Sequence, residues 1–123
     1  MQAVTLNKLE EMIRLEYRKV PPERVYFTMK KMHLRHFKAQ AVEAMRWSLA
    51  LHRLGIPVTA TLIARLREVS ESAAMRQLHM LGDAKCLTLL RGGSSHGEVG
   101  RIPNRWVVSA LFLERYGWED RPR

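Results

Sequence analysis

Residues 59–81, TATLIARLREVSESAAMRQLHML, constrain the fold more than any other stretch of the chain. Thr59 is expected to cap a helix, because its hydroxyl can accept from a backbone N–H that the first helical turn leaves unpaired. Leu62, Ile63, Leu66 and Val69 then share one helical face. Ser70 is a second capping residue, and Ala74, Leu78 and Leu81 recur after it at intervals of four and three. At about 100° per residue, Ser72, Arg76 and His79 point away from that apolar stripe. The stretch therefore predicts two short helices with a tight break between them.

Two helices at this spacing, the second with an apolar back and a polar front, suit a helix-turn-helix whose second helix enters a DNA groove. They also suit an ordinary small helical core. The residues beyond Leu81 favour the DNA-binding pair. After GDAK comes CLTLLR, rich in strand-compatible residues, then the glycine-rich run GGSSHGEVGRIPN, then a second strand, RWVVS. In this order the chain resembles the winged helix-turn-helix family of bacterial and phage DNA-binding proteins. The residues that carry the resemblance are Thr59, Ile63–Ala64, Val69–Ser70, Ala74, Leu78 and Leu81, followed by the strands Leu87–Leu90 and Trp106–Val108. It covers roughly residues 38–117. The turn carries Arg67–Glu68 where many members of that family have Leu-Gly.

Charge supports a polyanionic partner. The net charge is +9 and the isoelectric point near 10.4, a balance that attracts phosphates and releases their counterions. Residues 1–54 hold eleven Lys/Arg against five Glu, a net of +6, and residues 55–123 hold ten against seven acids, a net of +3. The bland reading of the same charge is solubility. Hydrophobic residues make up 46% of the chain, enough for a core and too many for a disordered chain. There is no apolar run of membrane-spanning length. Charges also interrupt MQAVTLNKLEEMIR where a signal peptide would be apolar, so a cytoplasmic location is expected. The single cysteine, Cys86, forms no intramolecular disulfide and belongs to no clustered metal motif.

Before residue 38 the chain reads as a helical arm. Asn7 with Glu10 resembles a capping box, and Leu6, Leu9, Ile13 and Tyr17 then share a face to about Lys19. Val20-Pro21-Pro22 breaks that helix. A second pattern starts at Glu23, with Val25, Met29, Met32 and Phe37 on one side; residues 25–28 would also suit a short strand. A third helix is expected from about Lys38 to Leu54, burying Ala41, Val42, Met45, Trp47 and Leu49, with Gly55 closing it. Ile56-Pro57-Val58 suits a short edge strand. Ser109 caps a last helix, ALFLERY, which stops at Gly117.

The fold class expected is mainly α with a small β-hairpin: a winged helix-turn-helix with an N-terminal helical arm. The arm spans residues 1–37, the domain 38–117 and a tail 118–123. On the second helix of the pair, Arg76 is the residue best suited to read a base, because its planar fork of donors matches guanine O6 and N7. Ser72, Ala73 and His79 lie beside it. In the loop between the strands, Arg91, His96, Arg101 and Arg105 would serve the wing. Thr59, Thr61, Lys30, Lys31, Arg35 and Lys38 would anchor phosphates. His33 and His36 are spaced to hold a metal but lack further ligands nearby. The sequence has no Gly-Lys-Ser/Thr phosphate loop, no G-x-S-x-G elbow and no paired carboxylates in a credible setting, so no enzyme, metal or cofactor is expected.

The expected function is sequence-specific double-stranded DNA binding by a small transcriptional regulator that acts through operator occupancy. A winged-helix module docking a protein through the same helix face is the alternative, as is a DNA-handling accessory of replication or packaging. The arm's apolar residues suggest a homodimer, which would set two reading helices about one DNA turn apart. The alternative is that the arm packs on its own domain and enlarges the core.

Overall fold

The computed structural model describes residues 2–32, 34, 36–91, 93–94, 101–102 and 104–117, and the side chains of 7–32, 34, 36–91 and 104–117. Six helices and a small antiparallel sheet make up this part of the chain. α1 (Gln2–Arg18) and α2 (Pro22–Lys30) precede the longest buried helix, α3 (Ala39–Arg53). α4 (Ala60–Arg67) and α5 (Glu71–Asp83) follow, then β1 (Leu87–Leu90), β2 (Gly93–Ser94), β3 (Arg101–Ile102), β4 (Arg105–Val108) and α6 (Ala110–Tyr116).

α3 is the centre of the molecule. Ala44, Met45, Leu49, Ala50 and Leu51 are fully buried on it, and α1, α2, α4, α5 and β4 all pack against it. β1 pairs with β4 from Leu87 opposite Val108 to Leu90 opposite Arg105, and β2 pairs with β3 further out on the same hairpin. Val58 bridges Trp106, with N–H to O distances of 2.9 and 2.7 Å in the two directions. The edge strand expected after Pro57 is thus a single bridge. Trp106 fills the space between this sheet and α5, and it is 1% exposed.

The helix ends follow from local chemistry. Thr59 Oγ1 accepts from the Leu62 N–H at 3.2 Å, Ser70 Oγ from Ala73 at 3.1 Å and Ser109 Oγ from Phe112 at 3.0 Å. Gly55 and Gly117 take left-handed conformations after α3 and α6, as glycine does just beyond a helix. The turn between α4 and α5 needs the same conformation, and there the residue is Glu68, with φ 57° and ψ 48°. A side chain at such a position costs roughly 1–2 kcal/mol. Glu68→Gly is therefore expected to raise stability by about 1 kcal/mol, with glycine's extra unfolded-state freedom offsetting part of the relief. Thermal melts of the two proteins check this; an unchanged or lower melting temperature would mean that the Glu68 side chain makes a compensating contact.

Two helix boundaries differ from the sequence expectation. α1 starts at Gln2, so Asn7 is an exposed interior residue and not a cap. Nothing between residues 2 and 7 breaks a helix, and one interior Asn costs only tenths of a kcal/mol. α2 ends at Lys30, leaving Met32 and Phe37 beyond it. The Lys31 N–H turns back to the Thr28 carbonyl at 3.0 Å and that of Met32 to the Met29 carbonyl at 3.1 Å, three residues back each, which closes the helix there.

The arm is part of the domain's core. Ile13, Val25 and Met29 are each 0% exposed, so of the two uses open to the arm's apolar residues these three serve the domain's own core. Polar contacts hold the same joint. The Tyr17 ring stacks on Trp47 at 3.8 Å and its hydroxyl donates to Glu43. Arg46 reaches the Val20 carbonyl at 2.9 Å, the Tyr17 hydroxyl at 2.9 Å and Glu43 at 3.0 Å. On α2, Arg24 donates to the Tyr116 carbonyl at 3.0 and 2.7 Å and to the Gly117 carbonyl at 2.8 Å, with its guanidinium 4.3 Å from the Tyr116 ring centroid. It thereby satisfies the carbonyls that the end of α6 leaves unpaired.

Candidate functional site

The polar face of α5 is accessible along its length. Ala74, Leu78 and Leu81 turn into the core, and Ser72, Arg76 and His79 are exposed, as the spacing predicts. Ala73 is half-buried, and its N–H is taken by the Ser70 cap. Among the described residues Arg76 forms no ion pair, either with Glu71 or with Asp83. His79 sets its ring edge-on to Trp106 at 5.3 Å. The Trp106 indole N–H below it is buried without a hydrogen-bond partner among the described residues.

Besides the buried Ala74, Leu78 and Leu81, a chain of side chains that sequence patterns do not reveal ties α5 to α4 and α3. Arg67, at the end of α4, donates to Gln77 Oε1, and Gln77 Nε2 donates to Gln40 on α3 at 3.4 Å. Burial draws the Arg67 guanidinium below its usual range, and the charges of Glu43 and Tyr17 push back against this. Gln77 adjoins Arg76 in sequence, yet it is half-buried and engaged by Arg67 and Gln40, while Arg76 faces out.

The flanks of α5 are basic and the helix pair itself is not. α4, α5 and the turn between them hold Arg65, Arg67 and Arg76 against Glu68, Glu71 and Asp83. The positive charge lies in the α2–α3 connection, where Lys30, Lys31, Arg35 and Lys38 occur with no acid among them, and on the hairpin. Lys30, Lys31 and Lys38 are exposed, with the Lys30 ammonium 5.2 Å from the Tyr26 ring centroid. Leu34 from this connection shares a shallow depression of about 490 Å³ with Met75, Arg76, His79 and Met80. The connection therefore runs beside the open face of α5. On the hairpin, Arg91 and Arg105 are exposed, and Arg105 sits next to the Trp106 that underlies His79.

Of the other expected contacts, Thr61 is exposed and Thr59 has its hydroxyl oxygen engaged in the α4 cap. Arg101 lies in β3, with its side chain outside the described residues. His96, Arg35 and His33 lie outside them altogether, as does the tail from residue 118.

Cys86 is sealed beneath this surface, and burial pushes its thiol from 9.0 up to about 12. The folded thiol keeps its proton in the range where an unfolded one releases it, so stability should fall as pH rises from 9 towards 12. Burial also raises Tyr17 and Tyr116, which adds a loss in the same direction at the alkaline end. The native protein should leave a thiol reagent unreacted at neutral pH. Urea midpoints should drop across the alkaline window, less steeply in Cys86→Ala, and an equal slope in the two proteins would assign the loss elsewhere.

No protein-family model matches the sequence, and neither a curated protein nor a solved structure matches the chain. No helix among the described residues is long and apolar enough to cross a membrane.

Proposed function

We propose that the chain is a winged helix-turn-helix protein that binds double-stranded DNA at a preferred sequence and regulates transcription by occupying it. The observation that carries this reading is the open polar face of α5, with Ser72, Arg76 and His79 outward and Arg76 free of an ion pair among the described residues. α5 is the reading helix, placed in the major groove with Arg76 on a base edge. Lys30, Lys31 and Lys38 on one flank and Arg91 and Arg105 on the other neutralise phosphates, and Thr61 contributes a hydroxyl donor. The element order supports the architecture: two capped helices joined by a tight turn, then a hairpin in which β1 pairs with β4 and β2 with β3. For a dimer on operator DNA, the outward side of α1 offers Met12 and Leu15 as exposed apolar residues.

One observation favours a second reading, in which the α5 face docks a protein. The helix pair carries no net charge, and the depression beside Arg76 is lined by Leu34, Met75 and Met80. Selection from a random-sequence duplex pool at two salt concentrations separates the readings. Affinity that falls steeply with salt, together with an enriched sequence, supports DNA regulation. Salt-sensitive binding without enrichment supports general DNA handling. No binding at low salt removes the DNA reading and leaves the docking one.

A further inference from the structure

Between α2 and the start of α3 lies an open cleft of about 360 Å³ whose walls include Tyr26, Phe27, Phe37 and Val42. It is separate from the α5 face. Phe27 is 59% exposed and Tyr26 38% exposed, an unusual amount of aromatic surface for a small protein to leave in water. Tyr26 meets Phe27 at 5.4 Å and Phe37 at 5.3 Å, and both contacts are steeply inclined, so the rings form a corner and do not cover one another face to face.

Charge decides among the occupants of such a corner. Lys38 lines the cleft and Lys30 stands over Tyr26. Two carboxylates also line it, and they are not equivalent. Glu43 is neutralised by Arg46 at 3.0 Å, which leaves Glu23 as the one acid opposing the lysines. Cationic side chains around open aromatic faces are the elements with which proteins hold unpaired nucleotides, stacking the base and neutralising its phosphate. We propose that this cleft binds an unpaired nucleobase of a single-stranded segment, with the base against Phe27 and Tyr26 and the adjoining phosphate at Lys38 and Lys30. This rests on the nucleic-acid reading above and extends it. The α2–α3 connection touches both places, through Lys38 in the cleft and Leu34 beside α5. A strand that frays or extends from a bound duplex would follow this connection to the rings.

The test uses the full chain and three labelled probes in anisotropy titrations: a blunt duplex, the same duplex with a short unpaired thymidine extension, and free oligothymidine. The extension should tighten binding. Phe27→Ala, at an exposed position that leaves the core intact, should remove that gain, about fivefold or more, and should leave the blunt duplex unaffected. Phe27→Trp should keep the gain, and Glu23→Gln should increase it. An extension that adds nothing to the wild-type affinity overturns the proposal while the duplex reading stands. Equal weakening of all three probes by Phe27→Ala also overturns it. If no probe binds, both readings fall together. Binding of N-acetyl-phenylalaninamide that Phe27→Ala abolishes, with no oligothymidine binding, gives the cleft to a peptide side chain and overturns the proposal as well.

Discussion

A chain lacking residues 1–19 is expected to lose cooperative folding. α1 contributes Ile13, wholly buried against α3, and Tyr17, whose ring lies on Trp47 and whose hydroxyl joins Glu43 and Arg46. It also supplies Glu10 to Arg65 at 2.6 Å and Glu16 to Arg53 at 3.0 Å. These surface pairs contribute little by themselves. Removing the helix uncovers Trp47 and the lower side of α3 together, and deprives Glu43 of one of its hydrogen-bond donors. Losing one buried aliphatic side chain alone costs about 2–5 kcal/mol, against a total stability of about 5–15 kcal/mol for a domain of this kind. Urea unfolding followed by circular dichroism checks the expectation. A truncated chain with the midpoint and slope of the full one would show that α1 is an accessory, and Ile13→Ala should reproduce part of the loss within the intact chain.

Arg76→Ala should weaken binding to a selected duplex by about 1–3 kcal/mol and hardly change binding to unrelated duplexes. Arg76 is exposed, with no ion pair among the described residues, so the substitution should leave the melting temperature nearly unchanged. This separates a lost contact from a damaged fold. The neighbouring Gln77→Ala should behave in the opposite way, because it removes the link among Arg67, Gln77 and Gln40. If Arg76→Ala weakens every duplex equally and lowers the salt dependence by about one phosphate, Arg76 contacts the backbone and the base-reading role is wrong. No change on any duplex would favour protein docking by α5.

What could be read from the sequence was what is decided locally. Thr59, Ser70 and Ser109 each bond a backbone N–H three residues on, so a short window of sequence contains the whole interaction. The stripe Ala74, Leu78 and Leu81 is of the same kind. The strands at Leu87–Leu90 and Arg105–Val108 were recognisable from β-branched and apolar residues on either side of a glycine-rich loop. The left-handed turn at Glu68 was not, because the residue type argues against the conformation and only the packing of α4 on α5 imposes it. The fixing of α5 was also hidden, since Gln77 finds its partner 37 residues away. The aromatic cleft escaped for a similar reason: the helical pattern placed Phe37 on one side with Val25, Met29 and Met32, whereas α2 ends at Lys30 and Phe37 meets Tyr26 instead.

The grip of Arg24 on the end of α6 bears on how this chain is made. Its two ends are 92 residues apart, and a ribosome adds residues in order at about 5–20 per second. For several seconds, therefore, α2 exists without the helix that packs on it, and that side faces the crowded surroundings of a growing chain. The segment at greatest hazard of sticking to other molecules is then α2, and the residues that end this exposure, Tyr116 and Gly117, are the last of the described residues to emerge.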